Sequence, residues 1–421
     1  MVCLNRRVPF DYEGGLQPLE EPMQFAPPLN VKDGGALLLV GTTKGAFLLA
    51  ASSARSSWQI SGPHFAGHAV YALAFDGRSG RQRIWAAVQS MHFGSVLRSS
   101  DDFGRSFTQP EAANVKFPSD AGVDLKQIWQ IALGPGDRPD SLYCGVEPAA
   151  LFESSDAGST WALVRGLFDH PHRARWEPGG GGLCLHTILI DPSDPRRMHV
   201  AISTGGVYRT EDGGRSWQPR NQGIRAEFLP EKYPEFGQCV HKVVRHPRNP
   251  KRLFLQNHFG LYRSDDGGDS WNDIAHGVPS DFGFAMVMHP HQPQTVYALP
   301  LESDQFRCVP EAKLRVYRTR NGGASWEPLA RGLPQGGAFE TVLRDAMAAD
   351  DFRPAGIYFG TRSGKLYGSR NEGVSWQLLA HTLPPIVCVK AARIGQAKRA
   401  EPKPRTKSAK GRRTGRRRAR A

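Results

Sequence analysis

Two short segments set a thiol and an imidazole two residues apart, Cys184-Leu185-His186 and Cys239-Val240-His241. On an extended strand residues i and i+2 point to one face. Two such strands side by side therefore offer two thiols and two imidazoles, the donor set of a transition-metal site. The expected ligands are Cys184, His186, Cys239 and His241, with His258 nearby and a transition metal as the one cofactor in view. Thiols packed as core residues, and histidines hydrogen-bonded along a wet channel, fit the same pattern. The sequence leaves the three readings open. A second chemistry needs two carboxylates about 5 to 9.5 Å apart for glycoside hydrolysis. The catalytic candidates are Arg344, Asp345, Glu177 and Glu235, with Asp169, Glu227, Glu231, Asp281 and Glu340 as further acids.

What must position these groups is a repeat. Six segments share the pattern [ST]-x-[DN]-x-G-x-[ST]-[WF], and their last residues are Phe107, Trp161, Trp217, Trp271, Trp326 and Trp376. The steps between them are 54, 56, 54, 55 and 50 residues, and a degenerate copy ends at Trp58. Asp102, Asp156, Asp212, Asp266, Asn321 and Asn371 occupy the acidic position. An Asx side chain there accepts backbone N–H bonds and mimics a turn, while glycine supplies positive φ. Asparagine keeps the acceptor and loses the charge, so the segment reads as a structural turn and not an ion site.

Before each turn come an apolar strand, a Pro-bearing turn, a second strand, a Gly turn and a third strand; a fourth strand follows. Four antiparallel strands recurring about every 50 residues make a propeller blade. The fold expected is all-β, a seven-bladed β-propeller of four-stranded antiparallel blades over residues 34–389, behind a leader at 1–33. The segment from Pro385 is expected to close the ring on blade one. Counting five residues back from the turn after each inner strand places Tyr71, Trp129, His186, His241, Phe284 and Asp345 at the channel. Two connections are unusually long, 165–182 and 218–238, and loops of that kind are usually functional. They carry Arg175, Trp176, Glu177, Tyr233 and Glu235. The ligand-binding set expected at this mouth is His186, His241, Trp129, Tyr71, Arg175, Trp176 and His258.

The turn segments resemble the Asp-box, or BNR, repeats of sialidases and related seven-bladed proteins. Sortilin-type receptor domains, xyloglucan-cleaving enzymes and a photosystem assembly factor belong to that set. The whole chain resembles bacterial cytosolic proteins classed as sialidase-like or glycosyl hydrolase. The resemblance implies the fold and puts the boxes on the rim, away from the usual binding face. It assigns no catalytic residue. The nearest match to the sialidase [FY]-R-I-P motif is Arg7-Val-Pro9, far ahead of the first clear box, and no arginine triad follows from a motif.

The formal charge of +14 is not spread evenly. Residues 390–421 hold fourteen Lys/Arg against one acid, Glu401, leaving the body nearly neutral. This tail is expected to be disordered and to bind nucleic acid or another anionic surface by counterion release. The six cysteines include no CxxC, and no secretory leader or membrane span is visible, so a cytoplasmic monomer is expected. The function expected is a platform that binds a small ligand or protein partner at the channel mouth. A sialidase-like glycoside hydrolase and a nucleic-acid-associated protein are the alternatives.

Overall fold

The computed structural model describes residues 28–90, 94–108 and 114–395. Its strands form seven antiparallel sheets, six of four strands and one of three. The chain is a seven-bladed β-propeller. The three-stranded sheet is blade two, where the Asn114 side chain brackets the third strand, accepting from Leu97 N and donating to Leu97 O at 3.1 Å each. Among the described residues no helix is long and apolar enough to cross a membrane.

Burial peaks at the second strand of most blades and falls toward the rim, which explains the composition of the strands. Ala36–Thr42 and Val296–Pro300, both second strands, are buried at every residue. Blades cover both faces of such strands, so they read as continuous apolar runs without alternation. The outermost strands, such as Asn272–Asp273, are short and exposed.

The ring closes by chain exchange. Ile386–Arg393 is the inner strand of blade one and pairs antiparallel with Ala36–Thr42. This corrects the expected start of the basic tail. Lys390 and Arg393 belong to the sheet, opposite Leu39 and Ala36. Their charges are accommodated by Asp345, 3.2 Å from Lys390 Nζ, and by the Phe352 ring, 5.1 Å from the Arg393 guanidinium. Of the expected leader, Leu29 is buried against blades one and two. The remaining calls on termini, the tail from residue 396 and the leader through residue 27 with Arg7, lie outside the described residues.

Five of the six repeated segments join third to fourth strands, and that of blade two follows the third strand. In blade four the Thr210 hydroxyl donates to Asp212 Oδ1 (2.7 Å) and accepts from Gly214 N (2.9 Å). Asp212 in turn accepts from the Ser216 amide (3.0 Å) and hydroxyl (2.6 Å). In blades six and seven Asn keeps two of these bonds through Oδ1, and its Nδ2 donates to the serine hydroxyl (2.8 and 2.9 Å). Reversing that hydroxyl is why a neutral amide serves where a carboxylate does. Gly323 sits at φ +96°, and a Cβ there would lie 2.6 Å from Ile274 of the preceding blade. Two of the tryptophans stitch blades together, the Trp271 and Trp326 indoles donating to Arg220 O (2.9 Å) and Ile274 O (2.8 Å) one blade back, while Trp161 and Trp217 donate within their own turns.

The degenerate copy is an exception with a cause. Arg55 stands at the glycine position with φ +52° and reaches Asp350 of blade seven at 3.1 Å, both side chains buried. The turn motif is given up at the seam between first and last blades in favour of an ion pair across it. Elsewhere the motif is structural and of ordinary strength. Thr210→Val strands the buried Gly214 amide, so a loss of about 1–3 kcal/mol is expected. A lower urea midpoint at unchanged slope would record it.

Candidate functional site

In blades one to six the inner strand slips register against its neighbour near the channel. The slips fall at Tyr71, Trp129, His186, His241 and Phe284 in blades two to six. In blade one the slip skips Val387. A bulge leaves its extra residue unpaired and re-aims the side chain. Here a ring of them is turned toward the axis at the same level. Asp345 takes the equivalent place in blade seven, bridged to Cys388 just ahead of Met347–Ala349.

Above this ring opens a cavity of about 1570 Å³. It lies on the face built by second-to-third strand turns and by connections between blades, opposite the box turns. Tyr71, Trp129, Arg175, Glu177, Glu231, Tyr233, Glu235, Cys239, His241, His258, Phe284, Arg344 and Asp345 line it as the sequence led us to expect. Arg307, Arg362, Phe228, Phe236 and Phe282 also line it.

Two residues of the expected ligand-binding set do not reach it, nor do Cys184, Asp169, Glu227, Asp281 and Glu340. Trp176 is buried in blade four with its indole N–H donating to Tyr208 Oη (3.0 Å). His186 is fully buried, with Nε2 at 2.9 Å from Val240 O and Nδ1 at 3.0 Å from Thr187 Oγ1. Both its nitrogens are engaged, so the expected quartet of Cys184, His186, Cys239 and His241 is not assembled as a ligand set. Cys184 is buried too, and its sulfur meets Arg344 Nη1 at 3.2 Å. The group that does come together is Cys239, His241 and His258, whose donor atoms lie within 4.8 Å of one another.

The channel acid is locked. Lys242 Nζ approaches Asp345 Oδ1 at 2.6 Å and Lys390 Nζ at 3.2 Å. Burial alone would raise the Asp345 carboxyl, but the two ammoniums outweigh it and hold it far below the carboxylate range. A carboxylate so held does not donate a proton at neutral pH, which argues against Asp345 as the acid of a hydrolysis. Glu340 is committed in the same way to Lys365 (2.7 Å) and Ser363 (2.6 Å), and Asp281 to Arg225 (3.1 Å). Glu177 and Glu235 remain on the cavity wall, exposed.

The arginines are the opposite case. Among the described residues none of Arg175, Arg307, Arg344 and Arg362 has a carboxylate partner. Three lie over aromatic rings instead, Arg344 over Trp129 (5.5 Å), Arg307 over Phe284 (5.4 Å) and Arg175 over Phe236 (4.4 Å). Trp129 and Tyr71 meet edge to face at 5.3 Å. With Asp345 shared by two lysines and Arg344 beside them, the channel floor carries surplus positive charge, while Glu177, Glu231 and Glu235 line the wider cavity.

Comparison with known proteins places this geometry among others of the same shape. The family model described as "Sortilin, neurotensin receptor 3" (Sortilin-Vps10) matches residues 205–336. A stretch of 126 residues is 29% identical to the probable oligoxyloglucan-reducing end-specific xyloglucanase of Neosartorya fischeri, covering 30% of this chain and 14% of that protein. The corresponding enzyme of Emericella nidulans is 29% identical over 82 residues, 19% of this chain and 9% of its own length. The matches thus span a minor part of those relatives. The solved GH74 xyloglucanase from Xanthomonas campestris overlays with a TM-score of 0.51 at 16% identity, over 87% of this chain and 53% of that one. What that structure shares with this chain is the fold.

Proposed function

We propose that the protein is a binding platform that takes an acidic oligosaccharide at the channel mouth. The observation that carries this reading is the set of four arginines without carboxylate partners around one cavity, three of them resting on aromatic rings. Arginine pairs a carboxylate through two parallel N–H donors, and aromatic faces such as Trp129 offer apolar surface for a sugar ring. The cavity exceeds the roughly 300–1,000 Å³ of ordinary small-molecule sites, which suits an oligomer. Sequence likeness to xyloglucanases supports a carbohydrate ligand, while the surplus positive charge at the channel floor and the arginines without carboxylate partners support an acidic one.

Calorimetry against matched uronate-containing and neutral oligosaccharides tests this. Acidic chains are expected to bind and neutral ones of equal length to bind at least about tenfold more weakly. Arg344→Gln is expected to cost about 10–100-fold, the worth of one charge-assisted pair. Equal binding of neutral and acidic chains, or an indifferent Arg344→Gln, would overturn the reading.

A second reading, glycoside hydrolysis, is favoured by Glu177 and Glu235 on the same wall and by the enzymes matched in sequence. It requires turnover of a glycoside that is lost in Glu177→Gln or Glu235→Gln. Binding of polyanions by the terminal basic run stands apart from both, and salt-sensitive DNA retention removed with residues 396–421 would mark it.

A further inference from the structure

The Cys239, His241 and His258 cluster sits on the cavity wall at blade five, and its details go beyond a packed thiol. Cys239 Sγ lies 3.5 Å from His241 Nε2. Sulfur and nitrogen bound to one tetrahedral zinc are about 3.6 Å apart, as Zn–S and Zn–N bonds of ~2.3 and ~2.05 Å require. The two atoms therefore already stand at a coordination edge.

The His241 ring is set for this role by its other nitrogen. Nδ1 lies 2.6 Å from Gly283 O, and a carbonyl only accepts, so the proton is on Nδ1. The Nε2 lone pair then faces the sulfur and accepts from the Cys239 S–H. A backbone carbonyl fixing the distal N–H is the usual outer partner of a metal-bound histidine. His258 brings the third donor, and the Asp304 carboxylate lies 3.7 Å from its Nε2, a charge contact beyond hydrogen-bond distance. The His258 ring stands 5.5 Å from that of His241 and is partly exposed, held beside it by the Phe259 and Phe282 rings.

We propose that Cys239, His241 and His258 bind one soft d10 cation, Zn(II) or Cu(I), with a remaining coordination position open to the cavity. One thiolate and two imidazoles are donors of the class such ions select. On binding, the metal–sulfur bond forms as the Cys239 thiol gives up its proton to solvent. Nothing in this site depends on the oligosaccharide reading, and the three residues are distinct from the arginines that carry it.

The test uses the full chain without a histidine tag, stripped of metal by chelator and reductant. Zn(II) and Cu(I) are titrated separately against chromophoric competitors, which distinguishes the two ions. Co(II) substitution reports thiolate ligation through a charge-transfer band in the near ultraviolet. One equivalent is expected to bind to the wild type, with the cobalt band present. Cys239→Ser and His258→Ala are each expected to weaken binding by about 100-fold or more, and Cys239→Ser to abolish the band, whereas Cys308→Ser leaves both unchanged. His258→Ala alters a partly exposed side chain, so it decides the matter even if Cys239→Ser fails to fold. Failure of both ions to bind stoichiometrically, or binding indifferent to His258→Ala, would overturn the proposal.

Discussion

A chain ending at Pro385 is expected to lose cooperative unfolding, whereas one ending at Gly395 keeps the wild-type transition. The two differ by a strand, Ile386–Arg393, that supplies the innermost layer of blade one. Ile386, Val387, Cys388 and Val389 are all buried. Burying an aliphatic side chain of this size is worth about 1.5–3 kcal/mol. A few of them approach the whole stability of a domain, roughly 5–15 kcal/mol. Removal also leaves the N–H and C=O groups of Ala36–Thr42 unpaired at the axis, each costly when buried. Calorimetric melts of the two truncations check this. A cooperative transition in the chain ending at Pro385 would mean that blade one closes without its terminal strand.

Asp345→Asn is expected to destabilise the protein by about 3–5 kcal/mol, the usual cost of leaving a buried charge without its partner. The amide keeps the shape but strands Lys242 and Lys390, whose ammoniums then face each other across a neutral group. The pH dependence follows from the depressed carboxyl of the folded state. A carboxyl of this kind contributes stability above its unfolded value, near 3.8, and loses it as pH falls through and below that value. The gap between wild type and variant is therefore expected to be constant from pH 5 to 8 and to narrow below about pH 4. Adding Lys242→Met to Asp345→Asn is expected to recover part of the loss, because one of two opposed charges is gone. Urea melts across this pH range measure all three. A gap that widened in acid, or a double variant less stable than the single one, would contradict the ion-pair account.

The ring of blades was legible because its turns are local chemistry. Ser100, Asp102, Gly104 and Ser106 bond to one another within seven residues, so their spacing survives in sequence. The channel positions were legible for a related reason. Counting back from Asp191 or His246 lands on His186 and His241 because the bulge recurs at a constant distance from the turn. What that count could not show is partnership across blades. Lys242 and Lys390 are 103 and 45 residues from Asp345, and Lys390 reads as the start of a basic tail. His186 looked like a ligand because Val240 O, 54 residues on, leaves no trace in the sequence around it. Arg307 and Arg362 had a usable signal that was passed over. Both fall in the second-to-third strand turns of their blades, the same place as His258, and that face is the mouth.

Hydrogen exchange of the full chain, with and without a bound uronate oligosaccharide, tests the central claim most directly. Slowed exchange is expected in the connections at 177–182 and 228–237 and in the segment 341–345, with the box turns unchanged. Protection confined to the box turns, or to the face carrying Asp191 and Asp350, would contradict the account.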